Sequence, residues 1–172
     1  GMWITVAPYA YPVRGSIIRF VTYGLFFFGL IQVLNSKKKI EAAVFVILAV
    51  GCFETLYGLF ETYSGHHQVL WMPKSKSLSV SGTYVNRNHF AGLMAMGILL
   101  STAYSAALID SGKRRKSAFS AGTGFRTRIS GYLSDEKRLS KQTLALFAGV
   151  VMGVGLVLSA SRGGIVSVAV GF

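Results

Sequence analysis

Four runs of apolar residues, separated by polar or basic segments, dominate the chain. They cover about residues 17–34, 40–63, 90–109 and 143–159. A helix needs roughly 20 apolar residues to cross a hydrocarbon core about 30 Å thick, and these runs approach or exceed that length. The pattern predicts an all-α fold, namely a polytopic bundle of four transmembrane helices.

A fifth apolar run follows Gly163 and Gly164 and reaches Phe172. As a helix it would be about 12–15 Å long, which is too short to cross a bilayer. We therefore expect a truncated C-terminal helix stub, and we expect residues 1–172 to be a fragment of a single membrane domain.

The composition favours a membrane protein over a nucleic-acid-binding protein. Hydrophobic residues make up 52% of the chain and charged residues 14%, whereas soluble domains carry about 25% charged residues. The net charge of +12 lies in blocks between the apolar runs. A protein that follows nucleic-acid phosphates would instead gather its basic residues on one face. We expect membrane lipids among the partners and no nucleic acid.

Lysine and arginine residues fall mainly on alternate connections, which predicts the orientation. Lys37–Lys39 follow the first run, nine basic residues separate the third run from the fourth, and the connection between them holds only two lysines. Because basic loops stay in the cytoplasm, we expect a cytoplasmic loop at 110–142. The N-terminus and loop 64–89 are then extracytoplasmic, in an inner membrane.

Loop 110–142 is rich in serine and glycine and predicts a mostly flexible segment. Near its end, Ser134 is suited to cap a helix, with Asp135 and Glu136 in the first turn. We expect this helix to lead into the fourth run.

The third apolar run opens with four polar residues: Asn86, Arg87, Asn88 and His89. A helix N-terminus carries partial positive charge and free N–H groups, so an arginine there is unfavourable unless an anion joins it. The helix N-terminus and the arginine together suit a phosphate group. The asparagines could cap the helix and also donate to a phosphate or a sugar. The alternative is that Arg87 extends to lipid head groups and the asparagines only cap.

A second arginine occupies an equivalent position in the segment Ser159-Ala160-Ser161-Arg162-Gly163-Gly164. The two glycines permit a tight turn, after which a new helix starts close to Arg162. Two arginines at helix starts on one side of the membrane suggest an anion with more than one phosphate. The alternative is a hairpin whose arginine reaches the lipid–water interface.

The second run carries Glu54, Tyr57, Gly58 and Glu61 on one helical face, at i, i+3, i+4 and i+7. We expect Glu61 to be solvated near the surface. Glu54 lies about two turns deeper, where a carboxylate needs a partner. We therefore expect Glu54 to face other helices with one of the two arginines as counter-ion, in either a catalytic or a purely structural pair.

The remaining reactive residues point to no metal and no cofactor. His66 and His67 are adjacent, and no HExxH or CxxC motif supplies further ligands. His89 is a better candidate for proton transfer, since it follows the Asn-Arg-Asn turn. Cys52 is the only cysteine, which excludes an internal disulfide.

Two of these motifs, with their flanks, resemble a known family. They are GTYVNRNHFAGLM and, about seventy residues later, SASRGG. Both resemble segments of the bacterial O-antigen ligase and O-antigen polymerase family. The middle helices of that family are also similar to YPVRGSIIRFVTYGLFFFGLIQVLNSKKKI and LYGLFETYSG. The resemblance covers nearly all of the chain and corresponds to the central portion of a family member.

The resemblance implies a metal-independent C-type glycosyltransferase. Such enzymes transfer glycan from an undecaprenyl-pyrophosphate donor to lipid A core, to a polysaccharide, or to protein. It assigns Arg87 and Arg162 to the donor pyrophosphate. The supporting residues would be Asn86, Asn88, Glu54 and Ser161.

The family has more helices than this chain and a large periplasmic loop with an essential histidine. The chain ends before that loop, so we expect the general base beyond residue 172, and we do not expect activity from the chain alone. His89 is not at the family's position for this base. Ligase and polymerase activity remain alternatives, and the sugar and acceptor stay open.

Two functions of other classes fit the same residues. One is a non-enzymatic transporter or channel subunit, with Glu54 and the arginines lining an anion path. The other is a structural membrane partner completed by another chain. A long extracytoplasmic loop with histidine in the flanking sequence would support the transferase, whereas an inverted repeat of the four helices would support the transporter.

Overall fold

The computed structural model describes residues 10–65, 68–69, 72–73, 79–119 and 125–171, with side chains over 13–65, 79–112 and 136–171. The helices are α1 (Ala10–Val33), α2 (Lys37–Ser64), α3 (Arg87–Phe119), α4 (Phe125–Leu158) and α5 (Arg162–Gly171). Two short antiparallel strands, β1 (Gln68–Val69) and β2 (Met72–Pro73), lie between α2 and α3.

The predicted all-α fold with four spans is confirmed. Among the described residues, four helices are long and apolar enough to cross a membrane: Val13–Val33, Lys37–Ser64, Arg87–Gly112 and Glu136–Leu158. The fifth helix, α5, is apolar but has only 10 residues. The chain therefore has the architecture of a multi-span membrane protein with a short fifth helix.

The prediction of a mostly flexible segment at 110–142 is wrong. α3 continues to Phe119 and α4 already begins at Phe125, so Ser134 lies inside α4 and does not cap it. The segment has no proline, and its lysines, arginines and alanines are good helix formers, so the polar continuation of each span stays helical. Arg138 links the two helices, because its Nη1 donates to the carbonyl of Leu108 at 3.0 Å.

The chain divides into two compact units, residues 1–43 and 44–172. In the first unit, α1 has no buried residue in its apolar span. In the connection after α1, the Lys39 Nζ donates a hydrogen bond to Asn35 Oδ1 at 3.0 Å.

In the second unit, small residues allow α2, α3 and α4 to approach closely. Met152 of α4 is fully buried. Its thioether fills the space above Gly51 of α2 and Gly97 of α3, so a methyl group at either glycine would collide with it. Such close contacts between helices are the usual source of stability within lipid, where apolar surface alone gives no driving force. The buried apolar core comprises Val44, Leu48, Val80, Phe90, Ala91, Met94, Ala145, Ala148, Met152 and Leu156.

The segment before α3, residues 79–86, lies directly on α2. A Cβ at Gly58 would be 2.7 Å from the backbone nitrogen of Gly82 and 2.7 Å from Val80 Cγ1. Gly82 has a φ of +54°, a left-handed conformation that glycine adopts more readily than residues with a side chain. On its other side the segment is bound to α4, because the Val80 N–H donates to the Leu158 carbonyl at 3.1 Å. Residues 79–86 are thus held between the C-terminal ends of α2 and α4.

We predict that Gly58→Ala destabilises the protein. The added methyl group must displace the Gly82 backbone, and overpacking of this kind costs about 1–3 kcal/mol. Thermal unfolding of the purified protein in detergent should show a lower midpoint. Gly153→Ala is the matched control, since a Cβ at Gly153 meets nothing within 4 Å. That control should keep or raise the midpoint, because alanine is the better helix former. Equal midpoints for the two variants would contradict the close contact.

Candidate functional site

Asn86 caps α3, as its sequence context predicts. Its Oδ1 accepts the N–H of Asn88 at 2.9 Å. Its carbonyl accepts the N–H groups of His89 and Phe90 at 3.1 and 3.4 Å. Arg87 is therefore the first residue of the helix.

Ser161 has the same role at the start of α5. Its Oγ accepts the N–H of Gly164 at 3.4 Å, and its carbonyl accepts the N–H of Ile165 at 3.2 Å. The chain turns into this cap through Ala160, whose φ is +50°. Arg162 is consequently the first residue of α5 and has the position that Arg87 has in α3.

A hydrogen bond joins the two helix starts. Ser161 is 3% exposed, and its hydroxyl donates to Asn88 Oδ1 at 3.0 Å. Further along, Gly164 lies against the Ala91 side chain and Gly171 against Leu99. These contacts advance in the same direction along both helices, so α3 and α5 run parallel and begin side by side. We call residues 79–89 and 159–164 together the arginine end.

The arginine end concentrates positive charge. Arg87 and Arg162 are both exposed. The first turns of α3 and α5 contain no acidic residue. Within the described part of the chain, neither guanidinium has a hydrogen bond or ion pair. Two helix dipoles and two arginines therefore present positive charge at one place, an arrangement that suits an anion.

Glu54 faces the protein, as predicted, but its partner differs from the expected one. It is 9% exposed. Its Oε2 accepts the N–H of Thr83 at 2.8 Å and its Oε1 accepts the Thr83 hydroxyl at 2.7 Å. Neither arginine is its counter-ion, because the close approach at Gly58 brings Thr83 to the carboxylate. Thr83 was not identified from the sequence, since only the tertiary contact reveals its role.

The expectation that Glu61 is solvated is wrong, because it is 7% exposed. It shares a face of α2 with Glu54 and Gly58, and most of the residues along this side of the helix are buried, namely Gly51, Glu54, Thr55, Gly58 and Glu61. Proximity to the helix end therefore does not decide its exposure.

Of the three histidines of the chain, the structure describes His89. His89 is exposed in the first turn of α3. His66 and His67 lie outside the described residues. Among the described residues there is no group of three or more histidine, cysteine, aspartate or glutamate side chains that could hold a metal ion.

Comparisons of the chain with protein families, with characterised proteins and with solved structures found no match.

We predict that the Asn88–Ser161 hydrogen bond couples the starts of α3 and α5. Asn88→Ala, Ser161→Ala and the double variant form a double-mutant cycle. Residues that share a hydrogen bond give coupling energies of about 0.5–3 kcal/mol, which denaturant unfolding in mixed micelles can measure. Ser167→Ala is the control, since the exposed Ser167 hydroxyl donates only to the carbonyl of Gly163 within its own helix. Additive effects of Asn88→Ala and Ser161→Ala would argue against the link.

Proposed function

We propose that the arginine end binds the pyrophosphate of a lipid-linked glycan at the membrane surface. The chain would then be part of an inner-membrane glycosyltransferase. It would transfer glycan from undecaprenyl pyrophosphate to lipid A core, a polysaccharide or a protein. The observation that carries the proposal is the Ser161–Asn88 hydrogen bond, which brings the helix starts of Arg87 and Arg162 together.

A pyrophosphate matches this arrangement in charge and size. Its two phosphate groups share one bridging oxygen, so they lie only a few ångströms apart. Each guanidinium can make a bidentate contact with one phosphate. The free N–H groups of two parallel helix starts add further donors and the favourable ends of two dipoles. A single exposed arginine at one helix start would offer about half of these contacts.

The same groups would assist transfer. An acceptor hydroxyl attacks the sugar carbon that is bonded to the pyrophosphate, the carbon–oxygen bond to the pyrophosphate breaks, and the hydroxyl proton passes to a base. Negative charge grows on the departing pyrophosphate, and fixed cations and N–H donors stabilise it without a metal. The resemblance assigns the base to a histidine in the large periplasmic loop of the family. Within the described residues, His89 is the candidate because it is exposed two residues after Arg87.

One observation favours a binding site over the alternative of an anion path. A path would need Glu54 to line it, but both oxygens of Glu54 are bonded to Thr83. The carboxylate is therefore engaged in holding the segment that precedes α3.

We infer that the arginine end faces the extracytoplasmic side of a bacterial inner membrane, and the distribution of lysine and arginine supports this orientation. Nine basic residues lie between residues 110 and 142, at the opposite ends of α3 and α4. Basic connections stay in the cytoplasm. The donor would then be reached from the extracytoplasmic leaflet.

We predict that impermeant maleimide labels Ser75→Cys but not Arg115→Cys in intact cells. Both substitutions are made in a Cys52→Ser background, because Cys52 is the only native cysteine. Arg115→Cys should become reactive only after the cells are permeabilised, and the cysteine-free parent should give no signal. Labelling of Arg115→Cys in intact cells, without labelling of Ser75→Cys, would reverse the orientation.

We predict that Arg87→Lys with Arg162→Lys weakens binding of undecaprenyl pyrophosphate in lipid nanodiscs by at least about tenfold. Lysine keeps the charge but loses the planar pair of donors, and charged hydrogen bonds contribute about 1.5–3 kcal/mol each. Binding of undecaprenyl monophosphate should fall less. Arg19→Lys, an exposed substitution on α1, is the control. Unchanged affinity in the double variant would favour simple contact with lipid head groups.

A further inference from the structure

The buried carboxylate of Glu54 holds one residue, Thr83, with both of its oxygens. A buried charge is unfavourable unless it is fully hydrogen-bonded. Glu54 meets this requirement by accepting the backbone N–H of Thr83 at 2.8 Å and its hydroxyl at 2.7 Å. Because both bonds go to a single residue, they fix its position and also its orientation.

The position of Thr83 is directly connected to that of Arg87. Thr83 lies in a tight turn, since the Tyr84 N–H donates to the Ser81 carbonyl at 3.0 Å. Arg87 follows four residues after Thr83, on the far side of the Asn86 cap. A displacement of this turn would therefore also displace the first residue of α3, because only a short, hydrogen-bonded stretch of backbone separates them.

The same turn is connected to the other arginine. The Val80 N–H donates to the carbonyl of Leu158 at 3.1 Å, and Leu158 is the last residue of α4. Three residues separate α4 from Arg162 at the start of α5. The segment that leads to Arg87 is thus bonded to the helix end that leads to Arg162.

We propose that Glu54 and Thr83 are positioning residues that set the placement of Arg87 relative to Arg162, and hence the preference for a pyrophosphate over a single phosphate. This inference rests on the proposed function of the arginine end. Two guanidiniums can share a pyrophosphate only when their separation matches its two phosphates, whereas a monophosphate needs one of them. Loss of the Glu54–Thr83 link should therefore weaken pyrophosphate binding more than monophosphate binding.

The chain offers a matched control. Glu61 lies two turns from Glu54 on the same face of α2 and is buried to a similar degree, with 7% exposure against 9%. The structure describes no hydrogen bond from the Glu61 side chain to residues 79–86. Glu61→Gln therefore alters a buried carboxyl group of α2 and leaves the Glu54–Thr83 hydrogen bonds in place.

The experiment compares undecaprenyl pyrophosphate with undecaprenyl monophosphate as ligands of the protein in nanodiscs, and it records thermal stability for each variant. In Glu54→Ala, which removes both hydrogen bonds, the ratio of the two affinities should fall about tenfold, as expected for the loss of charged hydrogen bonds. In Thr83→Val, which removes the hydroxyl bond and keeps the backbone N–H bond, the ratio should fall by a smaller factor. Thr83→Ser keeps the hydroxyl and should restore the ratio. The Glu54→Ala, Thr83→Val double variant should be no worse than Glu54→Ala, since Glu54→Ala already removes both hydrogen bonds. Glu61→Gln should leave the ratio unchanged.

The possible results separate the inference from the proposed function. If the unsubstituted protein does not prefer the pyrophosphate, or the arginine-to-lysine variant binds it equally well, the proposed function fails and the inference fails with it. If that preference depends on the arginines but is unchanged in Thr83→Val and Glu54→Ala, only the inference fails. The variants could also lose affinity for the pyrophosphate and the monophosphate equally while their thermal stability falls. The Glu54–Thr83 hydrogen bonds would then have only a structural role, and this result also overturns the inference. Should Glu54→Ala not fold, Thr83→Val and Thr83→Ser still decide the question.

Discussion

The close contact between Gly58 and Gly82 is the constraint on which the arginine end depends. It lets the backbone at Gly82 lie directly against α2. Backbone N–H groups buried in this way must find acceptors, especially close to lipid. Thr83 finds one on Glu54 and Val80 finds one on Leu158. The N–H groups of Thr83 and Val80 are thereby satisfied by α2 and α4, and both helices hold the segment that precedes α3.

The parallel pair α3 and α5 creates an electrostatic conflict. Small residues such as Ala91 and Gly164 allow the two helices to touch, which gives close packing in a lipid environment. Parallel packing also places two positive dipole ends and two arginines together, and these repel. The Ser161–Asn88 hydrogen bond and the packing below it oppose that repulsion. A bound anion would neutralise the charge, so ligand binding and the stability of this helix pair are expected to support each other.

Features that depend on local chemistry could be predicted from the sequence. The spans follow from the length of the apolar runs, the Asn86 cap follows from its side chain, and the inward direction of Glu54 follows from the penalty on a carboxylate in lipid. Thr83 and the Ser161–Asn88 bond could not be predicted. Each joins residues far apart in the chain and depends on which helices become neighbours. The serine-rich and glycine-rich composition of residues 110–142 led to the wrong prediction of a flexible segment, because a polar segment without proline can continue a helix.

The choice of arginine at both helix starts argues for a shared anion. An acidic residue at such a position stabilises a helix by about 0.3–1 kcal/mol, and an arginine has the opposite effect. α3 and α5 both lack this stabilisation, because neither has an acidic residue in its first turn. Contact with lipid head groups would explain each arginine separately. It would not require a buried serine on one helix to bind an asparagine on the other, since a single head group needs only one arginine. A ligand with two phosphates would require the two helix starts to be held together, and the Ser161–Asn88 hydrogen bond holds them in this way.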